Sequence, residues 1–256
     1  MPRYRVTLAY DGTNFNGFQL QRRRGRTVQG ALEQALGRLA GGARVAVAGS
    51  GRTDAGVHAL GQVAAFELER EIEPAALQRA LNGLLPDDVR VLDAALAQLG
   101  FHPRKSAVSK LYRYVLDCGG VQPPQRARYA AFCPHTLDAE AVRAAAALYL
   151  GRHDFASLAS SGSSATTTLR TVTRSEAVFE ATTLVYETEA DGFLRRMVRS
   201  MVGGLVAAGR GTLGVDELAR ALDEAAARAW RRSTWAATTS RRSPRAALRP
   251  SPRFAT

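Results

Sequence analysis

Tyr4-Arg5-Val6-Thr7-Leu8-Ala9-Tyr10 alternates polar and apolar side chains, and Thr27-Val28-Gln29-Gly30-Ala31-Leu32-Glu33-Gln34-Ala35-Leu36-Gly37-Arg38-Leu39-Ala40 carries them at helical spacing. The first pattern has the period of a strand with one face in a core. In the second, Thr27 is placed as an N-cap, and Val28, Leu32, Ala35, Leu36 and Leu39 fall on one face of a helix over 28–40. Gly41-Gly42 stops it. Working outward, Arg44 to Ala48 reads as a short strand, 49–56 as a loop and Gln62 to Leu68 as a strand. Glu73-Pro74 opens a helix to about Leu84, because proline fits a first helical turn. Asp88 to Ala97 reads as a closing strand. The order β-α-β-β-α-β predicts a ferredoxin-like split unit.

The second half reads as a decorated version of the same plan. Lys110 to Asp117 is a strand and 137–149 an alanine-rich helix. A polar Ser/Thr-rich loop covers 157–168. Thr171 to Glu180 and Thr183 to Ala190 pair as a hairpin. A helix over 193–208 puts Phe193, Met197, Met201 and Leu205 on one face, and a last helix spans 215–226. The expected class is thus α/β (α+β): two ferredoxin-like halves with mainly antiparallel sheets, residues 1–103 and 104–226, followed by an atypical tail, 227–256.

At 256 residues with 46% hydrophobic side chains, the chain can build a real core. It holds no run of about 18 apolar residues, so no transmembrane helix is expected. Met1 leads straight into the first strand without the apolar stretch of a signal peptide. Cys118 and Cys133 stand apart with no CxxC spacing, as suits a reducing compartment. These features predict a cytoplasmic protein. The net charge is +12 and the pI about 10.7, values that suggest a polyanionic partner. Ala227 to Thr256, however, holds eight arginines and no acid, and taking those eight charges from +12 leaves the body at only +4. Net charge alone is therefore weak support for RNA binding.

Three segments have the residue types that chemistry needs. Gly49-Ser50-Gly51-Arg52-Thr53-Asp54-Ala55-Gly56-Val57-His58-Ala59 lies between two strands, where loops carry function. Its glycines allow close backbone approach, Asp54 can meet a substrate, and Arg52 can clamp a phosphate. The same residues also fit a plain turn in which Asp54 bonds its own backbone. In Lys110-Leu111-Tyr112-Arg113-Tyr114, strand alternation puts Lys110, Tyr112 and Tyr114 on one face. Aromatic rings beside cations suit an unpaired base, and an ordinary half-buried strand looks alike. Arg195-Arg196-Met197-Val198-Arg199 clusters cations that can hold a carboxylate ionised, or can form a simple basic face. The four histidines, His58, His102, His135 and His153, show no ligand spacing, so no metal is expected.

In order, these blocks resemble the bacterial tRNA pseudouridine synthase A family. The resemblance is carried by Tyr10-Asp11-Gly12 with Phe15, Gly17, Gln19, Gln21 and Val28-Gln29; by Gly51 through Ala59; by Lys110 through Tyr114; and by Gly192-Phe193-Leu194-Arg195-Arg196-Met197-Val198-Arg199 with Met201-Val202-Gly203-Gly204. Gly151-Arg152-His153-Asp154-Phe155 is a weaker fifth match. The resemblance implies isomerisation of uridine to pseudouridine in tRNA just 3′ of the anticodon, at tRNA positions 38, 39 and 40. It implies a homodimer, no metal or organic cofactor, and an active-site cleft between the halves. Residue by residue, Asp54 matches the catalytic aspartate and Arg52 the arginine that helps draw out the target base. Tyr112 matches the tyrosine that stacks on that base, and Arg199 the arginine that pairs with the aspartate. Lys110 and His58 are expected to touch substrate.

The tail departs from the family. A Gly-Leu-Tyr-Leu-like strand near an Ala-Pro pair is missing after Arg228, where the residues show no strand alternation. A shifted reading frame and a divergent basic tail both account for that. Two other functions fit parts of the pattern. One is a non-catalytic RNA-binding module with exposed aromatics on its sheet. The other is a carboxylate hydrolase using Asp11 or Asp154 as a second acid.

Overall fold

The computed structural model describes residues 1–21, 25–160, 166–222 and 247–249. They form two compact units, one of residues 1–108 with 247–249 and one of residues 109–222. The fold is mixed α/β with mainly antiparallel sheets, as the sequence predicts.

In the first unit the elements are β1 (Arg3–Tyr10), α1 (Val28–Leu39), β2 (Ala48–Gly49), β3 (His58–Glu67), α2 (Pro74–Leu84) and β4 (Val89–Leu96). β1 lies between β4 and β3, antiparallel to both, and β2 pairs antiparallel with the far edge of β3. This is the split β-α-β arrangement, with β1 and β2 parallel on either side of β3. Alternate β1 residues Tyr4, Val6, Leu8 and Tyr10 are buried, together with Val28, Leu32 and Leu36 of α1 and Leu77 and Leu81 of α2. Each such leucine or valine stabilises the fold by about 1.5–3 kcal/mol. The Thr27 hydroxyl accepts from Gly30 N, and the Glu73 carboxylate accepts from Ala75 N and Ala76 N ahead of Pro74, so both helices start where the capping signals stand.

The sequence misplaces β2. The expected strand over 44–48 shrinks to Ala48–Gly49, because Val47 is held by α1 instead of a neighbouring strand: Val47 N donates to Glu33 Oε1, and Gln29 Nε2 donates to Val47 O. β3 begins four residues earlier than its alternation suggests, since β1 pairs with it as far as Tyr10↔Ala59. The tail also differs from expectation at three residues. Ala247–Arg249 forms β10, with Ala247↔His58 and Leu248↔Ala59 parallel to β3. Three residues are too few to show alternation. The rest of 227–256 lies outside the described residues.

The second unit holds β5 (Lys110–Cys118), β6 (Ala131–Cys133), α3 (Ala139–Ala147), β7 (Gly151–Asp154), β8 (Leu169–Glu180), β9 (Thr183–Ala190), α4 (Met197–Gly209) and α5 (Val215–Leu222). β9 sits between β5 and β8, antiparallel to both, so β5, α3 and β8 repeat the split plan. β6 adds parallel to β5 and β7 antiparallel to β8. Sequence reading missed both, one for its brevity and the other for its polarity. Tyr114, Leu116, Val142, Tyr149, Phe155, Tyr186, Met197, Met201 and Leu205 share one core. The two free cysteines are buried register partners on β5 and β6. No helix among the described residues is long and apolar enough to cross a membrane.

Asp117, at the end of β5, ties three segments together. It accepts from Arg126 (Nη2 to Oδ1, 2.6 Å), from Gln122 (Nε2 to Oδ2, 3.0 Å) and from the Thr183 hydroxyl (3.1 Å). The hydrogen bond from Arg126 is the main reason its carboxyl is held below the usual carboxylate range. A depressed folded pKa stabilises the fold above the unfolded pKa of about 3.9 and loses that contribution as pH falls through the folded value. The Arg126 side chain is 47% exposed, so water screens the pair. Asp117→Asn should therefore cost about 1 kcal/mol in urea melts at neutral pH, with the gap from the parent closing as pH drops below about 4.

Candidate active site

The loop from Gly51 to Val57 is pinned at both flanks and leaves its middle to solvent. At the entry, Ser50 N donates to Val63 O and Gln62 Nε2 to Gly51 O at 2.7 Å. Thr53 is buried; its hydroxyl meets the Tyr10 hydroxyl at 2.9 Å and its carbonyl accepts from Phe18 N. At the exit, Gly56 N donates to Phe15 O and Val57 N to Asp54 O. Between these anchors the side chains of Arg52 and Asp54 are exposed.

Two glycines of the Asp11-to-Phe18 turn make this closeness possible. A Cβ on Gly12 would lie 2.0 Å from Val57 O. Gly17 has φ +94°, and a Cβ there would lie 2.4 Å from Thr53 O. No other residue type fits at either point. Asp11 holds the turn with its own side chain, Oδ1 accepting from Thr13 N at 2.9 Å. It also lies 3.1 Å from His58 Nδ1. His58 is only 5% exposed and accepts from Gly12 N at 3.2 Å, so its ring is turned to the neighbouring turn.

In the second unit, Lys110 and Tyr112 are half-buried on one face of β5, and Tyr114 on that face is buried. The Tyr112 ring meets Phe193 edge-on, centroids 4.9 Å apart, in the geometry aromatic pairs prefer. Burial pushes the Tyr114 hydroxyl up, and the nearby Arg199 guanidinium pulls the other way. The structure thus brings the Tyr112 strand near both Phe193, which meets Tyr112, and Arg199, which acts on Tyr114. Sequence reading put Phe193 in the α4 core face. The helix instead begins at Met197, because Arg196 adopts a left-handed conformation, φ 61°, that ends any helix running in from Phe193. Phe193 is released to Tyr112, and its place in the Gly192-to-Arg199 block is the signal that could have found it. Among the described residues, no three of His, Cys, Asp and Glu gather as metal ligands would.

A family model described as tRNA pseudouridine synthase matches residues 7–104 and 145–240. Proteins described as tRNA pseudouridine synthase A match along most of the chain. That of Latilactobacillus sakei subsp. sakei (strain 23K) is 43% identical over 85% of this chain and 88% of its own length. That of Geobacter sp. (strain M21) is 40% identical over 87% and 89%. That of Maridesulfovibrio salexigens is 46% identical over 82% and 78%. This chain belongs to the tRNA pseudouridine synthase A family. The family match spans the pinned Asp54 loop and the Arg199 helix, and it passes over 105–144, which hold Lys110 and Tyr112.

The close approach at Gly12 is a stability constraint as well as a positional one. Gly12→Ala should lower the unfolding free energy by about 1–3 kcal/mol, the usual range for overpacking. Gly83→Ala, in α2 with nothing within 4 Å of the added carbon, should raise it by about 0.5–1 kcal/mol. Denaturant melts of the two variants side by side check both signs.

Proposed function

We propose that this protein isomerises uridine to pseudouridine in the anticodon stem-loop of tRNA, with Asp54 as the catalytic carboxylate. The observation that carries the proposal is an exposed aspartate at the centre of an otherwise immobilised loop, in a chain of this family. The reaction cuts the bond from C1′ to N1, turns the base and joins C1′ to C5. The proton that C5 loses is balanced by the one N1 gains, so no atom or electron enters or leaves, and no cofactor is required by the balance. A carboxylate beside the anomeric carbon serves as nucleophile or proton acceptor. The base must first leave its stack.

The remaining roles belong to the same proposal. Arg52, exposed two residues before Asp54, draws the base out through its phosphate. Tyr112 stacks on the extruded base, its ring fixed by Phe193. Lys110 contacts the RNA backbone, and Arg199 favours the ionised aspartate. The positions 38, 39 and 40, a homodimeric state and a cytoplasmic location complete the reading.

The alternatives have less behind them. A sheet-based RNA module would expose a row of aromatics on its strands. Tyr4 and Tyr10 of β1, Tyr114 of β5 and Tyr186 of β9 are buried, and the half-buried Tyr112 of β5 and the exposed Phe132 of β6 lie on separate strands. For a two-carboxylate hydrolase, Asp11 already caps Thr13, and Asp154 Oδ1 accepts from Ala156 N.

Asp54→Asn should bind unmodified tRNA like the parent and form no pseudouridine, read by pseudouridine-specific chemistry. Pseudouridine formation by the variant would rule out the assignment. Tyr112→Phe should keep most activity, whereas Tyr112→Ala should lose about 1–3 kcal/mol of transition-state stabilisation in kcat/KM, the value of one stacked base.

A further inference from the structure

We propose that His58 is a positioning residue for Asp54, in place of the substrate contact that its motif suggests. The inference rests on the function proposed above. His58 stands at the first residue of β3, 5% exposed, with Nδ1 3.2 Å from Gly12 N and 3.1 Å from Asp11 Oδ1. Nδ1 thus stands between a backbone donor, Gly12 N, and a carboxylate oxygen of Asp11, both in the turn that carries Gly12. The bond holds Gly12 where its α-carbon rests against the Val57 carbonyl, too close for any Cβ. Val57 N in turn donates to Asp54 O at 3.2 Å. His58, Gly12, Val57 and Asp54 thus form one run of direct contacts. Without an acceptor at Nδ1, Gly12 N–H is buried unpaired and the turn is free to leave Val57. The error reaches the Asp54 backbone, and displacements of about 1 Å at reacting groups cost up to about a hundredfold in rate.

Three substitutions separate this role from others. Asn places a carbonyl oxygen as far from the backbone as Nδ1, Gln places it one bond further out, and Leu fills the volume with no acceptor. His58→Leu and His58→Gln should lower kcat by about ten- to a hundredfold with KM nearly unchanged. His58→Asn should restore kcat to within about threefold of the parent. Hydrogen exchange at the Gly12 amide, followed in the full chain, should be protected in the parent and His58→Asn and fast in the other two. A raised KM with kcat intact would make His58 a substrate contact and overturn the proposal. Equal kcat for the Asn and Gln variants would also overturn it, and that comparison decides if His58→Leu does not fold. The exchange measurement needs no turnover. Loss of the catalytic assignment through an active Asp54→Asn is therefore distinguishable from failure here, which would appear as equal Gly12 exchange in all four proteins.

Discussion

Two turns of the first unit pass so near each other that the Gly12 α-carbon leaves no room for a side chain beside the Val57 carbonyl. Everything about the Asp54 loop follows from that approach. A loop of seven residues between strands has too much backbone freedom to hold a carboxylate still by itself. Here it is fastened to the turn after β1, through Tyr10, Phe15 and Phe18, and to β3 through Gln62. Both are anchored in a sheet whose central strand is buried at every second residue. Arg52, Asp54 and Ala55 of the loop are exposed. The polar anchors are themselves buried, which makes them costly to leave unpaired and so strongly position-specifying.

In the second unit an aromatic ring stands against Tyr112, and that ring is placed there because the chain breaks at Arg196 before α4 begins. A non-glycine residue in the left-handed region costs of order 1–3 kcal/mol. The surrounding core, with Leu194, Met197 and Met201 buried on either side, offsets it.

What the sequence could disclose divides along physical lines. Helices with a cap and a periodic apolar face, α1 and α2, were legible almost to the residue, since local signals and packing agree there. Val47 was not, because its backbone partners are the side chains of Gln29 and Glu33, which no strand pattern announces. The start of α4 was missed for a similar reason: the apolar spacing from Phe193 runs straight through Arg196, and only the backbone turns. β10 lies in residues whose composition says nothing of pairing. At the site, Asp54 and Arg52 stood out by motif and are exposed, whereas His58 stood out by the same motif and is buried. Sequence spacing alone does not distinguish an exposed side chain from a buried one in such a loop.

Charge teaches the same lesson. Part of the positive charge of the two units is already engaged in ion pairs within each unit. Arg3 lies near Glu67, Arg5 near Asp93 and Arg26 against Asp88, and Arg113 and Arg174 share Glu187. Such pairs contribute little to the field that an approaching RNA feels, because each cation is matched within a few ångströms. Net charge is therefore a poor guide to where a polyanion would settle. Arg52, by contrast, is exposed on a loop whose flanks are fastened to β3 and to the turn after β1. Its backbone is already fixed, so a phosphate bound there would order less of the chain.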